Sequence, residues 1–211
     1  PFWKGKTVEE RMQQRMPEDV LTDMDKYIFT MMLEITYGIG HFTMNHPKVL
    51  AHGLRDVIAD AQQKAACLST RDRKGEKGLF YDAVVRNCRA AIAFAHRHSE
   101  LAAAMARKER DRERAAELRK IARVCSRVPE YGAETLHEAI QSLYFIHLIA
   151  QIESGGNSIS LGRIDQVLFP YYQMDRKARR ITPDKAPAEA PARPVPTTMI
   201  SIFRLLVGLT S

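Results

Sequence analysis

The segment LYFIHLIA, residues 143–150, is apolar on nearly every side a helix would present. A helix from Glu134 to about Ile152 that carries it has no face to offer water, so it is buried in a larger body. The rest of the chain must then supply elements with apolar faces to cover it. His147 lies inside this run and is read as a satisfied core histidine rather than a catalyst.

Covering helices are legible on both sides. KTVEERMQQRM sets Thr7 three residues before Glu10, the spacing of a capping box. Pro17 closes that short helix and suits the first turn of the next. From Glu18 to about Tyr37, Val20, Leu21, Met24, Ile28, Met31, Met32 and Ile35 recur at helical spacing. The methionines are read as adaptable core filling. GIGHFTMNHP follows as a glycine-punctuated turn holding His41. Pro47 opens a helix with Val49, Leu50, Leu54, Val57 and Ile58 on one side, and STRDRKGEKG reads as a polar loop. Leu79 to about Arg127, rich in Ala, Arg, Glu and Leu, predicts two antiparallel helices, ended by VPEYGAET. His96 and His98, two apart, do not share a helix face and are read as surface residues rather than ligands.

Composition narrows the function classes. With 211 residues, 45% hydrophobic and 27% charged, the chain is long and apolar enough for a globular core. No apolar run approaches the roughly 20 residues that span a bilayer, and no signal peptide opens the sequence, so no membrane partner is expected. The first residue is Pro1 rather than Met, as in a processed chain or a piece of a longer one. The formal charge of +7 invites a nucleic-acid partner. Its largest basic cluster, ARKERDRERAAELRKIAR, interleaves Glu and Asp with Arg and Lys and carries no stacking aromatics. That pattern is a solvated helix face, and nucleic acid is not expected. Cys67, Cys88 and Cys125 are odd in number and contain no CxxC, which predicts buried thiols in a reducing cytoplasm, with neither metal site nor disulfide.

Chemistry has few places to reside. The sequence holds no Walker loop, GxGxxG, GxSxG elbow, HExxH or EF-hand loop. Two polar turns abut apolar helical structure, one around His41 and one around Asn157-Ser158 in ESGGNSISLGRIDQVLFPYY, residues 153–172. A tunable histidine with Asn and Ser donors suits the orienting of a small polar substrate in a dry pocket. The same residues also fit a helix cap and an ordinary turn. A non-catalytic helical interaction module is the alternative function, supported by the mixed-charge region from Leu79 to Arg127.

PFWKGKTVEERM, GIGHFTMNHPKVLAHGL and above all QIESGGNSISLGRIDQVLFPYY resemble segments of pyruvate formate-lyase-like glycyl radical enzymes. The resemblance lies with the eliminase branch of glycerol dehydratase, choline trimethylamine-lyase and hydroxyproline dehydratase. It covers residues 1 to about 175 with the blocks in order, leaving 176–211 as a divergent Pro/Ala-rich tail. It implies a mainly α chain with a small β component: a helical portion plus the first strand or strands of an incomplete ten-stranded α/β barrel. It also implies a homodimer and a small polar metabolite as substrate, cleaved at a C–O, C–N or C–C bond. The family's cofactor is a protein glycyl radical, installed by a separate 4Fe-4S, S-adenosylmethionine-dependent activating enzyme.

By the same resemblance His41, Asn157 and Ser158 fall at substrate-contacting positions, with Asn157 standing where several relatives have His. Arg163, Asp165 and Gln166 match a GRxDQ block read as structural. The family's thiyl-cysteine loop and its radical-glycine segment do not occur in these 211 residues, so no catalytic residue is assigned and inactivity of this chain alone is expected. After ITPDKA, residues 181–186, PAEAPARPVP replaces an expected amphipathic helix, and a change of reading frame near Ala186 would account for the tail.

Overall fold

A computed structural model describes residues 4–5, 10–11, 14–26, 41–154 and 159–181. In order, its elements are α1 (Glu18–Asp25), β1 (Phe42–Thr43), α2 (His46–Ala66), α3 (Thr70–Lys74), α4 (Glu76–Lys108), α5 (Arg112–Arg127), α6 (Leu136–Ser154), β2 (Ile159–Ser160) and α7 (Ile164–Lys177). The fold is mainly helical with a two-stranded parallel sheet. Two compact units divide it: Pro1–Met44 with His147–Gly162, and Asn45–Ile146 with Arg163–Ser211.

The larger unit is built around the predicted central helix. On α6, Ala139, Ile140, Gln141, Ser142, Leu143, Phe145 and Ile146 are all buried, a nearly unbroken run that takes in every face. Phe145, Ala95 of α4 and Cys125 of α5 form a core cluster with Phe94 and Ile121 packed against it. The Phe94 and Phe145 rings meet edge to face with centroids 5.9 Å apart. Burial pushes the Cys125 thiol up to about 12, so it packs as a small apolar side chain.

α4 and α5 are the expected antiparallel pair. The buried residues of the two helices are mostly small, Ala91, Ala95, Ala102 and Ala106 on α4 and Ala115, Ala122 and Cys125 with the larger Leu118 on α5. Ser99 donates from its hydroxyl to the Ala122 carbonyl between the two helices at 2.6 Å. The turn between them is closed by acids. Glu109 accepts from the Arg110 and Asp111 N–H groups at 2.7 and 3.0 Å, and Asp111 accepts from the Arg114 N–H at 2.7 Å as the N-cap of α5.

α2 departs from the uninterrupted helix expected after Pro47. It begins as predicted, with Asn45 capping the Lys48 N–H at 3.2 Å. It then breaks at Gly53, which has φ 78° and ψ 170°. The loop after α5 fills the break. Leu54 and Arg55 donate to the Pro129 and Glu130 carbonyls at 2.8 and 3.0 Å, while Ala133 donates to the Leu50 carbonyl at 2.8 Å. A Cβ at Gly53 would lie 2.3 Å from the Glu130 oxygen, and one at Gly132 would lie 2.4 Å from the Ala51 oxygen. Two glycines therefore allow two backbones to touch.

Other expectations are corrected. STRDRKGEKG is not a loop: it holds α3 and the start of α4. Ser69 accepts from the Asp72 N–H at 3.1 Å, and the Arg and Lys residues that made the segment look solvated are good helix formers. Of the helix expected from Glu18 to about Tyr37, the described part is α1, Glu18–Asp25. Residues 27–37, like Thr7 of the expected capping box, lie outside the described residues. Cys67 is exposed rather than buried, since it caps the solvent-facing end of α2.

Behind α6, Thr135 accepts from the Glu138 N–H at 3.2 Å, and Glu138 accepts from the Glu134 N–H at 2.7 Å. The buried Asp175 of α7 accepts from the Leu136 N–H at 3.0 Å and from Arg180 at 2.8 Å, tying the end of α7 to the first turn of α6.

Candidate functional site

The two blocks singled out by sequence each run into one strand of the parallel pair. His41 is exposed and directly precedes β1, and the block read only as a turn therefore contains a strand. Phe42 pairs with Ile159 and Thr43 with Ser160. Parallel pairing requires a long connection between its strands, here the helices α2 to α6. Asn157 and Ser158 lie outside the described residues.

Gly162 closes this junction. Its φ is +70°, and a Cβ there would lie 2.8 Å from the Thr43 Cγ2, so both the turn and the close approach call for glycine. The Ser160 hydroxyl accepts from the Gly162 N–H at 3.1 Å.

Arg163, Asp165 and Gln166 form the entrance to α7. The Arg163 carbonyl accepts from the Gln166 and Val167 N–H groups, both at 3.0 Å. The Arg163 guanidinium holds both Asp165 oxygens, at 3.3 and 3.2 Å. That hydrogen bond, aided by the Gln166 N–H at the helix start, holds the Asp165 carboxyl below the usual carboxylate range. The same carboxylate raises the Arg163 guanidinium above its ordinary value. The pair closes within a single turn and faces solvent.

His147 is satisfied at one ring nitrogen only, which corrects the expectation of a fully satisfied core histidine. Its Nε2 lies 3.0 Å from the Gln151 amide nitrogen. The amide donates, so Nε2 accepts and the proton of the neutral ring sits on Nδ1. That Nδ1 is buried with no partner among the described residues. Burial pulls the His147 pKa down, favouring the neutral ring. By contrast His96 holds the Glu130 carboxylate at 3.0 Å, and His98 donates from Nδ1 to the Phe94 carbonyl at 2.9 Å.

Sequence reasoning passed over Gly53 and Asp175. An isolated glycine inside a helical pattern was the available signal for the first. Asp175 gave none, because its partner Leu136 lies far away in the chain. Among the described residues, no three His, Cys, Asp or Glu side chains converge as a metal site requires, and no helix is long and apolar enough to cross a membrane.

The family model described as "Pyruvate formate lyase-like" matches residues 1–188. The isethionate sulfite-lyase of Nitratidesulfovibrio vulgaris is 38% identical over 197 residues, covering 88% of this chain and 24% of that protein. The (2S)-3-sulfopropanediol dehydratase of Klebsiella oxytoca is 34% identical over 188 residues, covering 88% and 23%. Among solved structures, the glycerol-bound B12-independent glycerol dehydratase of Clostridium butyricum superposes with a TM-score of 0.73 at 35% identity, covering 86% of this chain and 23% of that one. The chain thus spans about a quarter of the length of the relatives it matches. With a family match over residues 1–188, relatives above 30% identity and a shared local fold, the chain belongs to the pyruvate formate lyase-like family of glycyl radical lyases and dehydratases.

Proposed function

We infer that this chain is the helical and first-strand portion of a glycyl radical eliminase. In the complete protein it would cleave a C–O, C–N or C–C bond of a small polar substrate by radical chemistry. The observation that carries this reading is the family match over residues 1–188, joined to a parallel pair whose two strands follow the His41 and Asn157-Ser158 blocks. Parallel strands start at the same end of a sheet, so Phe42 of β1 and Ile159 of β2 begin it side by side. His41, Asn157 and Ser158 are the substrate-contacting residues of this proposal. Two of the relatives are named for isethionate and sulfopropanediol, which brings small hydroxylated sulfonates among the substrates to test.

Arg163, Asp165 and Gln166 shape the turn that follows β2 and do not touch substrate. Their mutual bonds and their exposure support this role. The radical is borne by a glycine outside these 211 residues and installed by a 4Fe-4S, S-adenosylmethionine-dependent activating enzyme in a cytoplasmic, homodimeric assembly. A change of frame near Ala186 belongs to the same reading. Resequencing that finds an intact frame, with no family-like continuation in either shifted frame, refutes it.

This chain alone is inactive, since it has neither the thiyl-cysteine loop nor the radical-glycine segment. Anaerobic incubation with an activating enzyme and S-adenosylmethionine is expected to give no glycyl doublet in electron paramagnetic resonance. A doublet borne by this polypeptide would overturn the assignment.

A further inference from the structure

A groove of about 310 Å³ opens in the helical unit, lined by residues of α2, α3 and α4. Its apolar lining is Ala61, Ala65 and the exposed Ala66 of α2 with Val85 of α4. Ala61 and Ala65 are one helical turn apart and buried, and their short side chains leave the space open. On α4, Tyr81, Val85 and Arg89 recur every fourth residue and line one stripe. Arg73 reaches the groove from α3. A close approach holds α3 in place: a Cβ at Gly78 would lie 1.9 Å from the Arg73 carbonyl oxygen.

The charges at this groove do not cancel. Asp82 is taken by Arg73, with Nη2 and Oδ1 3.0 Å apart. Lys64, next to Ala65 on α2, is held by Asp60 at 2.9 Å. Arg89 has neither an ion-pair nor a hydrogen-bond partner among the described residues. One exposed, unpaired guanidinium therefore lines a partly apolar groove, with Tyr81 and Gln62 as further polar residues. A guanidinium binds a carboxylate through two parallel N–H donors, and small-ligand pockets pair an apolar lining with a few such groups.

We propose that this groove is an accessory binding site for a small aliphatic monocarboxylate, its carboxylate on Arg89 and its carbon chain over Ala61, Ala65 and Val85. A single free cation selects a monoanion over a phosphate ester or a dianion. The volume sits at the lower end of ligand pockets and takes a chain of about four to six carbons.

The test is titration of the 211-residue chain with hexanoate, hexan-1-ol and acetate, followed by calorimetry and by heteronuclear NMR. Hexanoate should bind saturably and shift the resonances of Ala65, Val85 and Arg89. Hexan-1-ol lacks the charge and acetate lacks the chain, and each should bind at least about tenfold more weakly. Arg89→Gln, at an exposed position, should weaken hexanoate by roughly ten- to a hundredfold and leave the melting temperature unchanged. Ala65→Leu should fill the groove and abolish binding; if that variant does not fold, the Arg89→Gln and hexan-1-ol arms decide. Equal binding of hexanoate and hexan-1-ol, equal binding of hexanoate and acetate, or an Arg89→Gln chain that binds as the wild type overturns the site.

Discussion

The helical unit and the strand pair solve the same problem to different degrees. Where α2 breaks at Gly53, the Leu54 and Arg55 N–H groups and the Leu50 carbonyl lose their helical partners, and the segment from Pro129 to Ala133 satisfies all three. The strand pair is two residues long on each side, and both residues of β1 are exposed. A two-stranded ribbon of that length has no independent stability in water. The comparison teaches that stability in this chain resides in its helices, while the blocks bearing the proposed chemistry sit on the least self-sufficient element.

The sharpest way to break this contrast is Gly53→Ala. The variant forces an L-residue to φ 78° and drives a methyl to 2.3 Å from the Glu130 oxygen. Backbone strain and overpacking together are expected to destabilise the chain by about 3 to 5 kcal/mol, read as a lower urea midpoint at unchanged m-value. Gly5→Ala is the control. Gly5 has φ +73° but nothing within 4 Å of an added Cβ, so strain alone remains, about 1 kcal/mol. Equal losses at both glycines would remove the docked loop from the account.

Two phenylalanines compare the units directly. Phe145 is 2% exposed in the aromatic core and Phe42 is 41% exposed on β1. Phe145→Ala should cost about 3 to 5 kcal/mol, whereas Phe42→Ala should stay within about 0.5 kcal/mol. A large loss at Phe42 would show that the strand pair contributes more stability than its geometry allows.

Acid should weaken the helical unit through His137. Burial lowers its pKa first and the Lys120 ammonium lowers it further, against the opposing pull of the Glu138 and Asp175 carboxylates. A histidine whose folded pKa lies below its unfolded value takes up its proton more readily when unfolded. Stability is then full above the unfolded pKa and falls as pH drops from about 6.5 toward the folded value. His147, in the smaller unit and lowered by burial, gives the whole chain a contribution of the same sign. The melting temperature should therefore fall between pH 7.5 and pH 5.5, and less so in His137→Gln. A variant with the wild-type slope would exclude His137 as the source.

Much of this division was legible in the sequence because it depends on local patterns. The all-round apolar run at 143–150 announced a buried helix, and the Ala-rich stretch from Leu79 to Arg127 announced two packed ones; both follow from spacing within a single segment. The misses arose where distant residues decide. Gly53 was passed over because its reason, the loop at Pro129 to Ala133, is remote in sequence. β1 was hidden in a turn because two residues of Phe-Thr show no alternation, and only pairing with Ile159-Ser160 makes them a strand. His41 and the Asn157-Ser158 block were found by resemblance rather than by spacing, since a substrate pocket assembled from separate blocks leaves no period in the chain.

Ser142 offers a small effect with the opposite sign. It is 0% exposed in the middle of α6, and its hydroxyl oxygen has no hydrogen-bond partner among the described residues. An unmade hydrogen bond in a dry core retains its desolvation penalty without compensation. Ser142→Ala removes that group and leaves a methyl of nearly the same size, in a residue with higher helix propensity. The variant should be neutral or more stable by up to about 1 kcal/mol, read as an unchanged or raised urea midpoint. A loss of more than about 1 kcal/mol would mean that the hydroxyl is satisfied in solution by a buried water, bringing polar structure into the core where the helices otherwise meet through apolar contacts.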